Sequence, residues 1–196
     1  MIYYNDPTEE IDQCNIFQNI HFACNEGNPS YGILLTPRCD LIIQESRKTP
    51  KAKYFKFVSI IDVRPIIEGI LSQLRISKGQ IKGTEYIDGE TYENLVLLIK
   101  NFIHGSIYPR YFFIPEIKNH FGFSAIDFQI LETKKYSREL IKSLKEKRIA
   151  QIKSSWREAI PVRYSNYSSR IGVSDYPVEI IDNLLDSLSI NLIRSS

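Results

Sequence analysis

Long apolar runs are missing from this 196-residue chain: nowhere do about 18 uncharged apolar residues follow one another, so the sequence offers no membrane-spanning helix. The opening MIYYNDPTEE has neither the basic flank nor the apolar core of a secretory signal, which sets the expectation of a cytoplasmic protein. Cysteine is scarce. The three present, Cys14, Cys24 and Cys39, are odd in number and form no C-x-x-C pair, a usage that suits a reducing compartment better than a disulfide framework. Free, mostly buried thiols are the expectation. Also absent are a glycine-rich phosphate loop, a Walker-type lysine motif, H-E-x-x-H and G-x-S-x-G, which removes the common mononucleotide, zincin and α/β-hydrolase readings. No internal repeat or low-complexity tract occurs.

What is there resembles an ordinary globular protein, with 43% hydrophobic and 24% charged residues. At roughly 150 residues per domain, the length predicts one domain plus an appendage. Net charge is only +2, but it is unevenly spread. Residues 1–30 hold five carboxylates and no Lys or Arg, residues 134–163 hold ten Lys or Arg against three Glu, and the stretch from Ser174 carries a charge of −3. A basic middle between acidic ends suits either a polyanion or the chain's own termini.

Periodicity predicts strands in the first half: Ile16, Ile20, Phe22 and Cys24 on one parity, Tyr31–Thr36, Leu41–Ile43, and Tyr54–Ile61 with Phe55 and Phe57 opposite Val58 and Ile60. A turn is expected at Glu26-Gly27-Asn28-Pro29. Arg64-Pro65 opens a helix, Glu90–Ile103 forms a second, and both are inserted between strands. Strand character returns at Tyr111–Ile114 and at Ala125–Leu131, where Ile126, Phe128 and Ile130 alternate with Asp127 and Gln129. The last third reads as helical: Ser137–Ile152, then a helix opened by the Ser155-x-x-Glu158 capping box and stopped at Gly172, then Pro177–Ile193. The expected class is α+β, a small SH3-like β-barrel or curled antiparallel sheet over residues 1–133 with a helical insertion at about 63–104, followed by a helical extension, 134–196, packed on it.

Cys39 beside Arg38 and Asp40 interrupts apolar segments, and a neighbouring guanidinium would lower a thiol pKa. On an extended segment, however, Cys39 and Asp40 point apart, and no histidine adjoins them. His21 and Cys24 with Cys39 and His104 or His120 would have to converge across a strand to hold zinc, which residues three apart do not do, so no metal site is expected. Asp62, Glu116 and Asp127 have no acid–base spacing. Lys142, Lys145, Arg148, Lys153, Arg163 and Arg170 form a basic row suited to nucleic-acid phosphates or an acidic partner, whereas Trp156, Tyr164 and Tyr167 share a stripe with Ile160 and read as core. Convergence of Arg38, Asp40, Arg64 and Asp127 in one pocket would mark an enzyme.

The segments Ile33–Leu41 with its Thr36-Pro37-Arg38-Cys39-Asp40-Leu41, Ala125–Phe128, and Ser155–Glu158 followed by Arg163-Tyr164 and Arg170-Ile171-Gly172 resemble a group of small bacterial proteins. Those proteins carry a CD strand motif, an IDF strand and an R-x-G helix end, and sit in multi-component or defence-type gene neighbourhoods. The strand order, with Gly32-Ile33 opening a sheet, is also similar to the SH3-like barrel of MazF-type endoribonuclease toxins. The first resemblance implies an adaptor subunit without cofactor that binds a partner protein, nucleic acid being a second ligand and membranes none. The second implies a ribonuclease using Arg38 or Arg64 against phosphate.

Overall fold

Apolar residues on both sides of consecutive strands require a sheet covered on both faces, and this is what the chain builds. The computed structural model describes residues 4–5, 10–25, 28–43, 49–73 and 89–170. Seven strands, β1 (Tyr4–Asn5), β2 (Asn15–His21), β3 (Pro29–Leu34), β4 (Tyr54–Asp62), β5 (Tyr111–Ile114), β6 (Ser124–Lys135) and β7 (Arg148–Ile152), form one antiparallel sheet in the order β1-β7-β2-β3-β4-β6-β5. Among the described residues five α-helices accompany it: the single turn α1 (Arg38–Leu41), α2 (Arg64–Gln73), α3 (Gly89–His104), α4 (Arg138–Lys147) and α5 (Ser154–Arg170). The fold is α+β on a curled antiparallel sheet, with α2 and α3 inserted between β4 and β5.

One face of the sheet, carrying Ile33, Val58, Ile126 and Phe128, lies under Trp156, Ile160, Tyr164 and Tyr167 of α5. Their immediate neighbours in sequence point the other way. Leu34 and Phe57 pack with Phe17 and Phe55 under Leu140, Ile141 and Leu144 of α4, while Ile61, Phe113 and Ala125 meet Ile66, Ile70 and Phe102 of α2 and α3. Burying a large apolar side chain contributes about 1.5–3 kcal/mol, so this two-sided coverage is the main source of stability. Gly32 sits where an added Cβ would meet the Phe22 ring at 3.1 Å and Ile20 at 3.3 Å, so a larger residue here would require those side chains to give by a few tenths of an ångström.

Several local expectations differ from the structure. Residues 137–152 are not one helix: α4 ends at Lys147, and Arg148–Ile152 enters the sheet between β1 and β2. Pairing with β2 satisfies backbone groups that a longer helix would have satisfied internally, and it buries Ala150 and Ile152. Ile16 and Ile20 do not share a face, because the β2 register shifts between Phe17 and Ile20 around Asn19, whose φ is 57°. Phe17 and Ile20 therefore enter the same cluster, with Ile16 opposite, while Cys24 lies exposed in a short 3-10 turn. Arg38–Leu41 forms a helical turn instead of extending a strand toward Ile43. Helix α5 already includes Ser154, which places Ser155 inside its first turn and not at the cap, and it runs through Pro161 to Arg170. The turn at Glu26-Gly27, the stop at Gly172 and the helix at Pro177–Ile193 lie outside the described residues.

β6 carries the largest irregularity. Val58 of β4 faces Leu131, but Ser59 faces Asp127, so residues 128–130 bulge out of register. The bulge turns Ile130 toward the α4 side, away from Ile126 and Phe128. Its backbone donors are satisfied locally, since Gln129 N–H donates to Asp127 Oδ1 at 3.1 Å and Phe128 N–H to the Arg110 carbonyl at 2.9 Å. Asp127, expected on an exposed strand face, is fully buried, and Arg110 grips it through Nε and Nη2 at 2.7 and 2.6 Å.

Candidate functional site

The end of β7 delivers the chain into α5 beside α1 and α4, and these four segments line a cleft of about 810 Å³. Its apolar wall includes Leu41, Ile42, Ile43, Phe55, Tyr136 and Ile141. Ile42 and Ile43 are 51% and 52% exposed, an unusual position for two adjacent isoleucines. The cations Arg38, Lys145, Lys153 and Arg157 line it against the carboxylates Glu10 and Asp12.

Asp12 organises the polar wall. Its backbone N–H donates to Asn15 Oδ1 at 2.8 Å and its own Oδ1 accepts from Gln13 N–H at 2.7 Å. Oδ2 then accepts from Arg157 Nη1 at 3.0 Å and Gln151 Nε2 at 3.3 Å, with Arg38 Nε at 3.7 Å. A buried carboxylate with this many donors fixes the guanidinium that faces the cleft. Cys14 adjoins the pair, its thiol donating to the Arg157 carbonyl at 3.5 Å. Burial outweighs the nearby Arg157 charge and pushes this thiol up to about 12, so it is a neutral core group and not a nucleophile.

The four groups whose convergence would mark an enzyme do not converge. Arg38 lines the cleft, Asp40 pairs with Lys51 at 3.1 Å, Arg64 bonds Asp62 in front of α2, and Asp127 belongs to Arg110. Hydrogen bonds from Arg64 hold the Asp62 carboxyl below its ordinary range. Cys39 is exposed, 3.8 Å from Asp40 Oδ1. Among the described residues no group of three His, Cys, Asp or Glu could hold a metal ion, so His21, Cys24, Cys39, His104 and His120 do not assemble. No helix among them is long and apolar enough to cross a membrane.

The basic row is dispersed by the interruption of the helix at Arg148. Lys145 and Lys153 line the cleft and Lys142 is exposed. Arg148 reaches the Glu10 carbonyl and Asn15 Oδ1, and burial lowers its pKa. Arg163 is a helix cap: Nη1 and Nη2 donate to the carbonyls of Gly105 and His104 at 2.7 and 2.6 Å, ending α3. Gly105, at φ 69°, has no room for a Cβ, which would lie 1.3 Å from Arg163 Nη1. The Arg170 side chain lies outside the described residues. Linear spacing does not mark Asp12, Gln151, Arg157 or Arg110 as site residues; the Asp12–Arg157 pair spans 145 positions, so no spacing rule reveals it. Compared with family models, curated proteins and solved structures, the chain finds no match.

Proposed function

We propose that the protein is a non-catalytic adaptor whose α1–α4–α5 cleft docks an acidic, apolar segment of a partner protein. The observation that carries this reading is the pairing of exposed Ile42 and Ile43 with a cationic rim, Arg38 and Lys145, around a carboxylate already held by Arg157. Apolar side chains of the partner would cover the isoleucines, and its carboxylates would meet the rim, steering association as complementary charge does. The resemblance of the TPRCDL, IDF and RIG segments supports a cytoplasmic bacterial multi-protein setting of the defence type, and the curled sheet is the feature shared with SH3-like barrels.

Peptide display against the purified protein tests the reading. Enriched peptides should combine Asp or Glu with Leu, Ile or Phe, and should lose about tenfold or more in affinity to Lys145→Glu or Ile42→Asp. A selection without that signature, or binding indifferent to both substitutions, overturns it. Cleavage of long single-stranded RNA that is abolished by Arg38→Ala or Arg64→Ala would instead establish the ribonuclease alternative.

A further inference from the structure

A second cavity, of about 440 Å³, opens at the other end of the sheet between α2, the loop before β5, and α5. Tyr108, Tyr111 and Tyr167 line it together with Gln73, Gly69 and Arg110. Three features mark this lining. Gly69 lies inside α2 with nothing among the described residues within 4 Å of an added Cβ, although glycine weakens a helix interior and no described neighbour demands it there. Tyr108 has φ 52°, a left-handed conformation that side-chain-bearing residues avoid and that the following Pro109 disfavours further. This conformation aims the Tyr108 hydroxyl at Gln73, whose amide nitrogen donates to it. Arg110 lies over the Tyr111 ring at 5.0 Å with its plane fixed by buried Asp127.

The chemistry of the lining narrows the ligand. Asp127 is consumed by Arg110, so no free carboxylate favours a cation. Arg110 binds Asp127 through Nε and Nη2, leaving Nη1 as a donor, and Gln73 donates through its amide nitrogen, leaving its oxygen as an acceptor. A donor and an acceptor beside flat tyrosyl surfaces match the edge and faces of a heteroaromatic base. We infer that this pocket binds an unpaired nucleobase, stacked against the tyrosines with its edge read by Gln73 and Arg110, and that Gly69 is the opening through which it approaches α2. The base has two sources, a free nucleotide or a single strand.

Tyrosine fluorescence titrations with AMP, GMP, CMP and UMP, and in parallel with a short oligoadenylate, distinguish those sources and test the assignment. Saturable quenching by at least one of the nucleotides or by the oligomer is expected, weakened about tenfold or more by Gly69→Leu, which fills open space on a helix surface and so preserves the fold, and by Gln73→Ala. Lys145→Glu should leave this binding unchanged, which separates it from docking in the larger cleft. Absence of saturable binding in every titration, wild-type affinity in Gly69→Leu, or loss of binding in Lys145→Glu alone would overturn the inference.

Discussion

At the residue scale, chemical character depends on how much water each group keeps. Cys24 and Cys39 are exposed whereas Cys14 is buried, so the three thiols separate into two kinds. A thiol-specific reagent at neutral pH should titrate two groups quickly and the third only after denaturation; rapid reaction of all three would contradict the burial of Cys14. The same burial has a pH consequence. The native thiol, with its pKa raised to about 12 from the ordinary 9.0, keeps a proton that the unfolded chain releases, so its contribution to stability is complete below pH 9 and is lost as pH rises toward 12. Urea unfolding midpoints across this range should fall with pH, and Cys14→Ala should remove that part of the slope.

At the scale of elements, β6 stays in the sheet despite its bulge because Asp127 and Arg110 bind the displaced backbone. The pair is asymmetric, since the Asp127 side chain is 1% exposed and that of Arg110 39%. Removing the arginine strands a buried carboxylate, while removing the aspartate leaves a guanidinium that can still reach water. Arg110→Ala should therefore cost about 3–5 kcal/mol and Asp127→Ala less, measured by denaturant unfolding. An equal or reversed order would mean that the bulge, and not the ion pair, sets the cost. Element type itself was legible wherever one period dominated: β4, β5 and the insertion of α2 and α3 follow from alternation or helical spacing in their own residues. β7 was not, because Arg148–Ile152 is too short to display a period of its own and continues the apolar stripe of α4.

At the scale of the whole molecule, Asp12 ties the segment before β2 to Gln151 at the end of β7 and to Arg157 in the first turns of α5. Asp12→Ala should lower stability by about 3–5 kcal/mol, and the effect should shrink when Arg157→Ala is already present, since the two residues share one interaction. A double-mutant cycle in chemical unfolding measures this; strict additivity would show that the contact contributes nothing. The amino-acid sequence by itself determined the α+β class, the helical insertion, the inward face of α5 and the lack of any local metal or acid–base motif, because each depends on residues a few positions apart. Tertiary structure alone decided that Arg148–Ile152 becomes a strand, that Arg163 caps α3, and that Asp12 meets Arg157 while Asp127 meets Arg110. Those outcomes depend on which distant backbone lies within hydrogen-bonding reach and on how completely water is removed around a charge, quantities that linear spacing does not encode.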